Sequence, residues 1–177
     1  RGLVGSEMCI RDRIHLRVSQ VSEPLCQPFE ARCVPKAMLD AEYSLPFTVS
    51  LMIAKGGIHL GDLSPEGLKD PAVIQMAKRV TFQYDPGLGG EKANGIPPGY
   101  VEIRTKDGGV YSKTVSVPYG HPTKPMSVDD LVAKFKDCAA FSATTVPAAN
   151  IDKAVELCLN LEDVSDVTKV VRLLTPE

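Results

Sequence analysis

The chain has 177 residues, 44% of them hydrophobic and 24% charged, with a formal net charge of −2 and a pI near 6.0. These values fit a globular protein of one domain, or one domain with an appendage. They argue against a basic nucleic-acid footprint or a cationic membrane-surface helix, and the longest apolar run, around Leu45–Ala54, is too short to span a bilayer. No charged-then-apolar leader is visible, so a cytoplasmic location is expected. The five cysteines, at 9, 26, 33, 138 and 158, include no CxxC pair. Cys26 and Cys33 lack the partners of a zinc set, so reduced and mostly buried thiols are expected, with neither metal nor disulfide.

Glu7-Met8-Cys9-Ile10-Arg11-Asp12 reads as translated adapter sequence from DNA library preparation. Residues 1–13 are therefore expected to be an artefact, with the protein's own amino-terminal portion missing. Ile14 to Ser19 alternates apolar and polar side chains, the pattern of a half-buried strand. Val21 to Met38 carries Pro24, Pro28 and Pro35 and reads as extended loop. A dense apolar helix follows over Ser44–Ala54, capped by Ser44 with Pro46 in its first turn and stopped by Gly56-Gly57. Ser64-Pro65 and Asp70-Pro71 are two further cap-proline pairs, and the second starts a short helix to about Lys78.

Arg79–Tyr84 alternates as a strand. Asp85 to Gly99 holds five glycines and three prolines and reads as loop. Its stretch Gly87–Lys92 lacks the spacing and hydroxyl of a phosphate-binding loop. Tyr100–Thr105 and Val110–Val117 flank Lys106-Asp107-Gly108-Gly109, a hairpin signal. Ser127 then caps a helix with Leu131, Phe135 and Cys138 on one face. Ile151, Ala154, Val155, Cys158 and Leu161 line a second helix, and Val167, Val170, Val171 and Leu174 a short third. The order predicts an α+β fold: a small antiparallel sheet with helices, then carboxy-terminal helices. These last helices have apolar faces and little chain left to cover them, so an exposed apolar patch is expected across 127–174.

Pro35-Lys36-Ala37-Met38-Leu39-Asp40-Ala41-Glu42-Tyr43-Ser44-Leu45-Pro46-Phe47 resembles a signature of the MmgE/PrpD (2-methylcitrate dehydratase) family. Lys55-Gly56-Gly57-Ile58, Leu68–Val73, the Asp107-Gly108-Gly109 turn and Tyr119-Gly120-His121-Pro122-Thr123-Lys124-Pro125-Met126-Ser127 follow the family's order. The resemblance covers nearly everything from Ile14 onward. It implies a large helical domain, mostly absent from this chain, and a smaller α+β lid. The lid would be residues 14–122, and 123–177 would be helices returning to the helical domain. It further implies a fragment of a metal-independent, cofactor-free lyase for small polycarboxylates, dehydrating a substrate such as 2-methylcitrate and homodimeric when whole. A decarboxylase or epimerase of the same superfamily is the alternative; a non-catalytic α+β binding module is the alternative from another class.

Such reactions remove a proton beside a carboxylate or build carbanion-like charge during decarboxylation, so positioned cations and donors are needed. His121 and Lys124, near Tyr119, are candidate substrate contacts, although the family often has Asp where this chain has His121. Arg32 and Lys36 bracket the signature and are candidate carboxylate clamps, with solvated surface as the competing reading. Tyr43 and Ser44 are candidate hydroxyl contacts; packing for Tyr43 and a helix cap for Ser44 are the alternatives. His15 reads as structural and His59 as a surface loop residue. No catalytic acid or base is carried onto this chain, since the resemblance implies that both lie in the absent part.

Overall fold

The computed structural model describes residues 11–88 and 97–175, which fall into two compact units, Arg1–Lys124 and Pro125–Glu177. Cys9 and most of the glycine-rich loop lie outside the described residues. The first unit is built on four strands: β1 (Arg11–Val18), β2 (Val80–Tyr84), β3 (Gly99–Thr105) and β4 (Val110–Val115), ordered β2-β1-β3-β4. Strands β1, β3 and β4 pair antiparallel, but β1 and β2 run parallel, with Ile14 opposite Val80 and Val18 opposite Tyr84. The fold is α+β as expected, while the sheet is mixed rather than antiparallel. The reason is connectivity: β1 and β2 are joined through several helices, a crossover that brings the chain back in the same direction. Strand β1 also starts three residues before Ile14, with a register irregularity between Arg11 and Arg13.

The segment expected to be loop before Met38 is partly helical. A 3-10 turn spans Glu23–Cys26 and helix α1 spans Phe29–Cys33. Pro24 sits in the opening turn of the first and Pro28 at the amino-terminal cap of the second, so these prolines start turns rather than prevent them. Helix α2 (Met38–Glu42) ends at Tyr43, and α3 (Leu45–Lys55) begins after Ser44. Gly56, at φ 78°, closes α3 in the left-handed conformation that glycine adopts without strain. Ser64-Pro65 starts only a single turn, Gly67–Lys69, whereas Asp70 accepts from the Ala72 and Val73 amides and opens α4 (Pro71–Ala77).

Helix α3 is the centre of the core. Ile14, Leu16, Val18, Cys26, Met76 and Val80 form one buried cluster, onto which Leu45, Val49 and Ile53 of α3 pack. Phe47 and Leu51 of the same helix join a second cluster with Ala41, Leu63, Leu68 and Val73. Residues spaced by four lie on one helical face, and an offset of two turns to the opposite face, so α3 is buried on both sides.

Each end of α3 is tied separately. At its start the Ser44 hydroxyl donates to the Arg32 carbonyl at 2.6 Å and accepts from the Phe47 amide at 3.1 Å. At its end the Lys55 ammonium reaches Asp62 at 2.7 Å and Asp70 at 3.2 Å. The His59 amide donates to the other Asp62 oxygen at 2.9 Å. Burial pushes both carboxyls up, but the Lys55 hydrogen bonds and the backbone amides outweigh it and hold both below the usual carboxylate range. Lys55 is raised, chiefly by its bond to Asp62. Packing here is close: a Cβ on Gly67 would stand 2.5 Å from the Asp62 and Gly61 carbonyl oxygens.

The second unit holds α5 (Val128–Ala140), α6 (Ala148–Leu159) and α7 (Thr168–Leu174). Ser127 accepts from the Asp130 amide at 3.1 Å and the Asp130 carboxylate accepts from the Ser127 amide at 3.3 Å, the reciprocal cap expected of Ser-x-x-acid. Leu161 falls past the end of α6, in a 3-10 turn. Ala154 is the only fully buried hydrophobic side chain among the described residues of this unit. Leu131, Val167 and Val171 are more than half exposed. No helix among the described residues is long and apolar enough to cross a membrane.

Two stability predictions follow from the anchoring of α3. Ser44→Ala lowers the unfolding free energy by about 1–2 kcal/mol, because both the cap and the tie to Arg32 are lost; a urea midpoint matching the wild type would refute it. Lys55→Met costs about 1–2 kcal/mol at neutral pH by leaving two carboxylates unpaired. The depressed acids stabilise above their unfolded value of about 3.9 and lose that contribution as pH falls through their lower folded values. The gap between wild type and Lys55→Met therefore closes below roughly pH 4, and a pH-independent gap in unfolding free energy rules the linkage out.

Candidate functional site

The residues singled out in the sequence fall into two groups within the first unit. The first lies along α1, α2 and the start of α3. Ser44 is 1% exposed, and its hydroxyl is engaged as donor to Arg32 and acceptor from Phe47, which makes it a tie between helices. Arg32 donates through Nε to the Gln27 carbonyl at 3.0 Å, fixing the inner part of a half-exposed guanidinium. Lys36 is exposed, and Tyr43, at the carboxy-terminal cap of α2, is 56% exposed. The fold thus brings Arg32 and Ser44 into contact through a backbone carbonyl, with Lys36 and Tyr43 on the surface of the same segment.

The second group is the turn over residues 118–124. Gly120 has φ 92°, which a side chain would oppose, and its amide donates to the Lys124 carbonyl at 2.9 Å. The Lys124 amide returns to the His121 carbonyl at 2.7 Å, and the His121 amide donates to the Pro118 carbonyl at 3.3 Å. On the side chains, His121 Nδ1 lies 2.9 Å from the Thr123 hydroxyl and accepts from the Thr123 amide at 3.2 Å. This is the position an Asp oxygen takes in an Asx turn. The Lys124 ammonium lies 6.0 Å from the centre of the Tyr119 ring. The turn therefore carries an imidazole, an ammonium and a phenol on a short, closed backbone. Such donors are suited to binding carboxylates.

A third arrangement was not legible in the sequence. Arg17 reaches Asp85 at 3.0 Å and stacks 3.8 Å above the Tyr100 ring centre. It lines a cavity of about 360 Å³ with Leu16, Val18, Leu45, Val49 and Val101. Alternation along β1 places Arg17 on the face opposite the core, but its partner is 68 residues away and only the sheet register identifies it. His15 sits two pairs along, on the same face as Arg17, and meets the Thr81 hydroxyl at 3.0 Å, a cross-strand contact consistent with a structural role. His59 is exposed, and its amide caps the turn that holds Asp62.

The thiols correct one expectation. Cys26 and Cys33 are buried and pushed up to about 11, first by burial and then by Glu23 and Glu30 respectively. Cys138 and Cys158 are free but exposed on the helices of the second unit, so only half of the described thiols are buried. Among the described residues no group of three or more His, Cys, Asp or Glu side chains is arranged to hold a metal ion. In the second unit, Val128, Leu131, Val132 and Phe135 of α5 and Ala154 and Val155 of α6 line an apolar groove of about 190 Å³.

Comparison with known proteins gives this geometry a family. Residues 12–161 match the model of the MmgE/PrpD C-terminal domain. Cis-aconitate decarboxylase of Homo sapiens is 26% identical over 164 residues, covering 92% of this chain and 31% of the relative. Cis-aconitate decarboxylase of Mus musculus is 24% identical over 169 residues, with the same two shares. The chain thus spans about a third of the length of the curated relatives it matches. With the family model covering β1 through α6, the chain belongs to the MmgE/PrpD family, in the part that carries its C-terminal domain.

Proposed function

We propose that the whole protein is a lyase for small polycarboxylates, and that this chain contributes a substrate-facing wall while the acid and base lie elsewhere. The family match across residues 12–161 is the observation that carries this reading. The 118–124 turn supports it chemically. His121 and Lys124 offer a donor and a cation close together, suited to a substrate carboxylate and to the negative charge that grows as a proton or carbon dioxide leaves. Arg32 and Lys36 act as outer clamps and Tyr43 as a surface hydroxyl. Ser44, with both hydrogen-bonding roles engaged, acts by holding that segment in place.

Dehydration of a 2-methylcitrate-like hydroxy acid is the first reading. Decarboxylation is the second, favoured by the names of the two relatives. In both, the apolar groove between α5 and α6 is covered by the remainder of a cytoplasmic, homodimeric enzyme that uses no metal or cofactor, and the chain alone is inactive.

The assay uses the full-length protein with 2-methylcitrate, citrate and cis-aconitate, following both formation of an unsaturated acid and release of carbon dioxide. Turnover of the hydroxy acids without carbon dioxide supports dehydration; carbon dioxide from cis-aconitate supports the second reading; no turnover of any polycarboxylate defeats the proposal. His121→Ala in that protein raises KM about tenfold, as loss of one hydrogen bond to a charged group does, with a smaller change in kcat. Unchanged kinetics would remove His121 from the substrate.

A further inference from the structure

The cavity of about 360 Å³ beside Arg17 has apolar walls that the polycarboxylate reading does not use. Paired strand residues point to the same face of a sheet, so Leu16 of β1, Val101 of β3 and Lys113 of β4 form one row across it. Two residues further along each strand, Val18, Gly99 and Val115 occupy the same face. Leu45 and Val49 of α3 pack on the core cluster that holds Leu16 and Val18, and they also line the cavity. The hollow has a local cause in the second row. Gly99 supplies no side chain, and a Cβ there would meet no atom of the described residues within 4 Å.

The unspent charge at this wall is that of Lys113. Arg17 is paired with Asp85 and stacked on Tyr100, whereas Lys113 has no hydrogen-bond or ion-pair partner among the described residues. A lysine blunts an edge strand such as β4 from either face. Here it lies on the face that carries Leu16 and Val101, so its charge borders hydrocarbon. A hollow of this size, mostly apolar with a single polar anchor, has the form of a small-molecule site. We propose that the cavity binds an aliphatic monocarboxylate, with its hydrocarbon tail against Leu16, Val18, Val49, Val101 and Val115 and its carboxylate at the Lys113 ammonium. A polycarboxylate suits it poorly, because its further carboxylates would be buried without partners. The site goes beyond the lyase reading and does not require it.

Titration of sodium octanoate into this chain, labelled at its valine and leucine methyls, reads the site by NMR. The expected result is saturable shifts at Val49, Val101 and Val115. Uncharged 1-octanol binds about tenfold more weakly, for want of the contact to Lys113, and citrate leaves these methyls unmoved. No shift, or shifts confined to Val128, Leu131 and Val155 in the α5–α6 groove, overturns the proposal. So does equal affinity for 1-octanol, or saturable citrate shifts at the same methyls. Calorimetry with the full-length protein is expected to show the same octanoate binding. Its loss there overturns the proposal, since the remainder of the polypeptide would then fill the cavity.

Two variants separate shape from charge. Gly99 opens β3 with open space beside it, so Gly99→Leu is accommodated and fills the hollow, and octanoate affinity falls by more than about tenfold. A folded Gly99→Leu variant that binds like the wild type overturns the proposal. Lys113→Met keeps apolar contact and removes the charge. It weakens octanoate about tenfold and leaves 1-octanol unchanged. Unchanged octanoate affinity, or an equal loss for both ligands, overturns the proposal. Lys113 is exposed and unpartnered among the described residues, so this variant decides should Gly99→Leu not fold.

Discussion

A helix with two apolar faces has to be enclosed, and the first unit is organised around that requirement in α3. Leu45, Val49 and Ile53 need the sheet on one side; Phe47 and Leu51 need α4 and the turns before it on the other. Burying a side chain such as Phe47 completely contributes roughly 1.5–3 kcal/mol. The benefit is realised only if the helix is held in register with both layers. Ser44 and Lys55 supply that register at opposite ends, so two polar anchors govern an apolar layer. The connection from β1 to β2 passes through this layer, which makes those strands parallel and the sheet mixed.

Much of this was legible from local chemistry. Ser44, Gly56, Asp70 and Ser127 each announce a helix boundary through a side chain or backbone preference that acts within three or four residues, and each boundary is where the sequence puts it. The β3–β4 hairpin is equally local, carried by Asp107 and Gly108 in a four-residue connection. What escaped was relational. The parallel pairing of Ile14 with Val80, the reach of Lys55 to Asp62 and Asp70, and the stacking of Arg17 on Tyr100 depend on which distant segments meet. Prolines misled in one direction: Pro24 and Pro28 read as loop formers but serve as starters of short helical turns.

The candidate site shows the same division. Ser44 stood out because it lies in the densest motif, and the structure gives it a local task at a helix start. His121 stood out as a lone imidazole, and its Nδ1 is engaged by Thr123, two residues away, which spacing alone did not single out. The 118–124 turn is held by backbone bonds of its own, and the signature segment by the Ser44 bonds to Arg32 and Phe47. A residue in a family motif can therefore owe its place to the backbone it shapes.

The two anchors of α3 differ in kind, and the difference makes the helix polar in its response to solvent. Its amino end is held by a hydroxyl, a carbonyl and an amide, none of which carries net charge. Its carboxyl end is held by an ammonium shared between two carboxylates, at side-chain exposures where dissolved ions still screen. Rising ionic strength therefore loosens α3 from one end only, fraying the turn at Lys55 and the segments that Asp62 and Asp70 organise while the signature segment keeps its shape.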